Sequence, residues 1–181
     1  MPDATAQVAA GTVQTATLWF DGKASLGAFR GITHTAHGEM SGGASLAVVH
    51  GFVEADVASL TTDNSIRDHD MRKTMEVEKY RTIRFDLDSV SPKGASGDSE
   101  RVELVGRMSI HGVTKPLRIP AVVRRPPGAI RVTGAFDVFL PAYGITNLTR
   151  FLGTLVMEKT IHVGLDVTFT TAREGREATE R

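Results

Sequence analysis

Apolar residues recur at every second position through most of this chain, and that period constrains the fold more than any other feature. Between Val102 and Ile110 the even positions are Val102, Leu104, Gly106, Met108 and Ile110, with Glu103, Arg107 and Ser109 between them. Leu117, Ile119, Ala121 and Val123 follow, then Ile130, Val132, Gly134, Phe136 and Val138. The clearest run is the last, where Ile161, Val163, Leu165, Val167 and Phe169 alternate with His162, Asp166, Thr168 and Thr170. Ile83, Phe85 and Leu87 are interleaved with Arg84, Asp86 and Asp88 in the same way. Such alternation turns one sheet face to a dry interior and the other to water, as antiparallel strands do. Strands are expected near 12–20, 26–40 with a break, 44–58, 81–90, 101–111, 116–124, 129–140 and 158–171. Turn signals fall at Asp21-Gly22, Ser41-Gly42-Gly43, Ser91-Pro92-Lys93-Gly94, His111-Gly112 and Arg125-Pro126-Pro127-Gly128. About eight antiparallel strands with short connections suit a closed barrel or a two-sheet sandwich. No repeated βαβ unit is present, which disfavours a parallel doubly wound sheet.

Two segments break the pattern. Residues 64–80 lack alternation, and Met71, Met75 and Glu78 fall on one helical face, so a short helical insertion is expected. Residues 141–157 are apolar and aromatic without reading as a strand. Such a connection either covers the open end of a barrel or buries against a partner subunit. Residues 1–10 and the charged 172–181 read as tails flanking one domain over 11–171.

Charge and composition exclude several functions. The 21 basic residues balance 21 acidic ones, so the chain lacks the footprint of a nucleic-acid or anionic-membrane binder. With no cysteine there are no disulfides, thiolate nucleophiles or cysteine metal sites. No apolar run reaches the ~18 residues of a membrane-spanning helix. The start lacks a basic region followed by a continuous apolar stretch, so a cytoplasmic location is expected.

Catalytic and metal constellations are weak. His34 and His37 are three apart in a strand and point to opposite faces, and His69-Asp70 lacks a third ligand, so no metal is expected. His111 and His162 fall on the solvent side of the alternation with no nucleophile nearby; His111 reads as a turn-stabilising residue. Asp68, Asp70, Glu76 and Glu78 are interspersed with Arg67, Arg72, Lys73 and Lys79, the pattern of a solvated mixed-charge surface. Arg67 and Asp68 either meet the polar end of a ligand or fasten the insertion to the rim of the fold. Gly106, Gly134, Ala121 and Ala55 are small inward-facing residues, and aromatic residues make up only 6% of the chain. An eight-stranded barrel is just wide enough to be filled by side chains or to hold one small ligand, and these small residues either leave space inside it or merely fit a tightly curved wall.

Two further blocks carry a resemblance. Arg67-Asp68-His69-Asp70-Met71-Arg72 leads into Glu76-Val77-Glu78-Lys79-Tyr80 and Ile83-Arg84-Phe85, and Met108-Ser109-Ile110-His111-Gly112-Val113-Thr114-Lys115-Pro116 follows. In this order and spacing they resemble the two signatures of the YceI-like family, over about residues 13–171. Asp70 stands where that family often has histidine, and Arg81 where it usually has proline. The resemblance implies an all-β, eight-stranded antiparallel lipocalin-like β-barrel with a short helical insertion. It also implies non-covalent binding of a long-chain apolar ligand, a polyisoprenoid or fatty-acid-like lipid, for storage, transport or sequestration. A homodimer is implied as well, with no catalytic apparatus and no cofactor. The residues expected to meet the ligand are Arg67, Asp68, Met71 and Met75 in the insertion, Phe85, Ile110 and Phe136 on strands, and Phe139, Tyr143, Ile145, Leu148 and Phe151 around the apolar segment. Two rival readings are an enzyme acting on a lipid or isoprenoid through His69, Asp70 or Asp68, and a filled, stress-related barrel acting through its dimer surface.

Overall fold

A computed structural model describes residues 11–42, 49–150 and 155–171. Both expected tails, the start of the strand expected at 44–58, and Phe151 lie outside the described residues. The elements in chain order are β1 (Gly11–Ala24), β2 (Gly27–Thr33), β3 (His37–Ser41), β4 (His50–Asp56), α1 (Ser65–Thr74), β5 (Thr82–Ser96) and β6 (Ser99–Ile110). They continue with β7 (Val113–Arg124), β8 (Ala129–Phe139), β9 (Thr149–Arg150), β10 (Leu155–Val156) and β11 (Thr160–Thr170).

All pairings are antiparallel, and they close. β11, β8, β7, β6, β5, β4 and β3 follow one another around the wall, and β1 joins β3 to β11. β2 pairs with Leu18–Ala24 of β1 and β3 with Gly11 and Thr12, so the two share one position in an eight-stranded wall. This is the break expected within 26–40. β9 and β10 form a separate small hairpin.

The alternation resolves as the period requires. Val102, Leu104, Met108 and Ile110 of β6 are buried, as are Ile119, Ala121 and Val123 of β7, and Val167 and Phe169 of β11. Their neighbours on the outer face form cross-strand ion pairs, Arg131–Asp166 at 2.6 Å, Arg118–Glu103 at 2.7 Å and Arg107–Asp88 at 3.0 Å. Exposed pairs of this kind contribute about 0.2–1 kcal/mol each. The inward apolar face therefore carries most of the stability.

Two expected turns lie inside strands. Gly22 sits within β1, where a Cβ would come within 2.8 Å of the Phe29 ring, so its role is close packing and not reversal. The chain reverses at Ser25-Leu26, ahead of Gly27 with φ 131°. Pro92 and Gly94 mark an irregularity in the β5–β6 register, and the reversal comes at Gly97-Asp98. At His111-Gly112 the expectation is met: φ values of 53° and 74° give the left-handed pair of a two-residue hairpin.

The insertion is α1, ten residues long. Asn64 caps it by accepting a hydrogen bond from the Arg67 amide at 3.0 Å. It ends at Thr74 with Met75 as its C-cap, so Glu78 lies beyond the helix and does not share a helical face with Met71.

Candidate functional site

The barrel interior is hollow. A cavity of about 650 Å³ runs between the inner faces of the strands, from α1 and the β1–β2 hairpin at one end toward the β7–β8 end at the other. Its middle is walled by side chains such as Phe85, Leu104, Met108, Ile119, Val132 and Leu165, which come from the adjoining strands β5, β6, β7, β8 and β11. Charged groups lie at its ends: Arg67, Asp70 and Asp56 at the α1 end, Glu39 and Arg125 at the other. A polar group left unpaired in such a channel costs several kcal/mol. The arrangement therefore suits an apolar chain with any polar group near an end.

Of the twelve residues nominated from sequence, Arg67, Met71, Met75, Phe85, Ile110, Phe136, Ile145 and Leu148 line the cavity. Arg67 is held in place: Nε donates to Thr62 Oγ1 at 2.9 Å and Nη2 to the Thr62 carbonyl at 2.8 Å. Its guanidinium also rests 4.7 Å from the centre of the Phe29 ring.

Asp68, Phe139 and Tyr143 are placed elsewhere. Asp68 is buried on the other side of α1, where Oδ1 accepts from the Thr62 amide at 2.8 Å and the Thr62 hydroxyl at 2.6 Å. Oδ2 accepts from the Thr61 hydroxyl at 2.9 Å. Burial alone would raise this carboxyl. The Thr62 and Thr61 donors outweigh it, with help from the charge of Arg72, and the pKa is held below its ordinary value. Asp68 thus fastens the insertion, one of the two roles open to it. Phe139 sits on the outward side of the alternation and is 52% exposed. Tyr143 is buried, which pushes its phenol pKa up, and its carbonyl accepts from His111 Nδ1 at 3.1 Å.

That contact revises the position of His111. Its side chain is only 10% exposed, with Nε2 2.5 Å from Glu76 Oε2 and the ring 4.6 Å from Tyr80. The left-handed backbone at the turn takes the residue out of strand alternation, so counting faces through it misplaces the side chain. His111 ties together the β6–β7 turn, the segment after α1 and the turn at Tyr143. The His34 ring meets Thr17 and the His37 ring Glu54, so the two engage different strands.

The small inward residues also divide. Ala55 lines the cavity. At Gly106 the Phe85 ring lies 2.7 Å from where a Cβ would be, and Gly134 is packed by Ala121 and Ile119 at 3.3 Å. These glycines admit neighbouring groups and leave no room for a ligand. The hollow comes from the strand count and from side chains that stop at the wall. Sequence reasoning omitted Leu104, Met108, Val132 and Leu165, although the alternation placed each on the inner face. Phe29 and Leu26 lay beyond its reach, because the chain reverses four residues past the Asp21-Gly22 signal.

The chain matches the YceI-like domain over residues 6–169. It is similar in structure to a polyisoprenoid-binding domain from Saccharophagus degradans implicated in plant cell wall breakdown, with a TM-score of 0.75, 16% identity, and coverage of 91% of this chain and 99% of that one. Burkholderia cenocepacia BcnA gives a TM-score of 0.70 at 14% identity, covering 84% of this chain and 95% of BcnA. The Campylobacter jejuni YCEI protein gives 0.63 at 16% identity, covering 80% and 85%. Among curated proteins none matches. With most of its length matched to that domain and its barrel closed in the same fold, the chain belongs to the YceI-like family.

Proposed function

We propose that this protein binds one long-chain apolar molecule, a polyisoprenoid or fatty-acid-like lipid, inside the barrel for storage, transport or sequestration. The cavity carries the reading. At about 30 Å³ for a water-sized or methylene-sized group, 650 Å³ has room for about twenty such groups. Each buried methylene contributes about 0.8 kcal/mol, so a chain of about sixteen carbons contributes about 13 kcal/mol. An association cost of about 5 kcal/mol leaves about 8 kcal/mol, a micromolar Kd. Arg67 at the α1 end is suited to a hydroxyl, carboxylate or phosphate at the chain's end.

Family membership supports binding over catalysis, and Asp68 of the rival enzyme reading already accepts three hydrogen bonds within the fold. The proposal includes a homodimer and a cytoplasmic location, which sedimentation and cell fractionation check.

The test is extraction of the purified protein followed by mass spectrometry, with titration of a fluorescent C16 fatty acid in parallel. A co-purifying lipid and micromolar probe binding are expected. Met108→Trp, which puts an indole into the tunnel, should weaken probe binding at least about tenfold. Arg107→Ala, one residue away on the outer face, should leave it unchanged. Equal effects of the two, or no probe binding by the wild type, would remove the interior site.

A further inference from the structure

Of the four large hydrophobic residues most exposed among the described residues, Leu26 and Ile66 line the α1 end of the cavity, and Val156 is hydrogen-bonded to the residue next to Leu26. Leu26, at the tip of the β1–β2 hairpin, is 85% exposed, and Ile66, in the first turn of α1, is 66% exposed; both reach the cavity mouth. Val156, 52% exposed, belongs to the strand beside that hairpin tip. There the Ser25 amide donates to the Val156 carbonyl at 3.0 Å, and the Val156 amide donates to Ser25 Oγ at 3.0 Å.

The positions are fixed. Asp68 and the Asn64 cap hold α1 from its buried side, which leaves Ile66 outward. The Ser25–Val156 bonds hold the hairpin tip against β10.

We propose that this mouth docks on a phospholipid bilayer, with Leu26, Ile66 and Val156 entering its surface so that the ligand passes between membrane and barrel without crossing water. The proposal rests on the lipid-binding reading. The area argues for a bilayer over a second copy of the chain, since a stable protein interface takes about 20–30 residues a side. Here Leu26 and Ile66 stand at the opening and Val156 beside it on β10, and a flat partner would seal the opening. Acyl chains can surround each projecting group singly and stay continuous with the apolar wall behind it. Arg67 and Asp70 place both charge signs at the mouth, so neutral lipid should suffice.

The experiment is flotation of the full chain with phosphatidylcholine vesicles in 0.15 M salt, where the Debye length is about 8 Å. The wild type should float. Leu26→Asp with Ile66→Asp, and separately Val156→Asp, should lower the bound fraction at least about tenfold. Val156→Asp should bind the soluble fluorescent fatty acid like the wild type. Failure of the wild type to float, flotation undiminished in these variants, or conversion of a dimer to monomers by Val156→Asp would each overturn the docking surface. Rim-dependent flotation without probe binding would leave the docking surface standing and remove the interior ligand.

Discussion

Asp68 shows what a single side chain can do at the edge of a barrel. Its carboxylate gathers three donors from Thr61 and Thr62, and through them it anchors α1 to the segment that leaves β4. Asp68→Asn would replace one acceptor oxygen with a donor facing other donors, costing about 1–3 kcal/mol at neutral pH. The sign with pH follows from the depressed pKa. The stabilisation is complete above the unfolded value of about 3.9 and is lost as pH falls through the lower folded value. Urea unfolding of the two proteins should therefore differ at pH 7 and converge at the acid end, below pH 4. A difference that persisted there would mean that the charge on Asp68 is not what matters.

At the scale of elements, the turns show how local signals can be followed or overridden. Gly112 has φ 74°, and a Cβ there would meet the Tyr80 ring at 2.6 Å. Gly128 has φ 72° with open space around it. Gly128→Ala should cost only the left-handed penalty, about 1 kcal/mol. Gly112→Ala adds a clash with a ring already packed at a tilt against His111 and should cost about 2–3 kcal/mol, measured by chemical denaturation. Equal losses would show that the Tyr80–His111 contact gives way freely. The His111-Gly112 turn was legible because both residues suit φ above zero. Asp21-Gly22 was not: a glycine that lets an aromatic ring approach has the same one-letter appearance as a glycine that reverses the chain.

For the whole molecule, the critical event is closure of β1 on β11, which brings together residues almost the full chain length apart, such as Val13 and Phe169. The chain's single tryptophan reports on it. Trp19 pairs with Gly164, and a Cβ at Gly164 would come within 2.1 Å of the indole. Gly164→Ala should lower stability by about 1–3 kcal/mol through overpacking and shift the Trp19 emission. Unchanged emission would mean that the indole does not pack on this seam. Closure also decides the interior, since the cavity exists only where β1 and β11 complete the wall.

The amino-acid sequence alone determined the strands, the face each one buries, the break between β2 and β3 and the presence of a short helix. Each of these is written in spacings of a few residues, and a buried face imposes its period wherever it occurs. Tertiary structure decided that Gly106 and Gly134 admit neighbours and that His111 turns inward. It decided as well that Asp68 braces α1 and that the centre stays empty. Those outcomes depend on how many strands surround the axis and on which distant groups meet across it, and no run of adjacent residues encodes either.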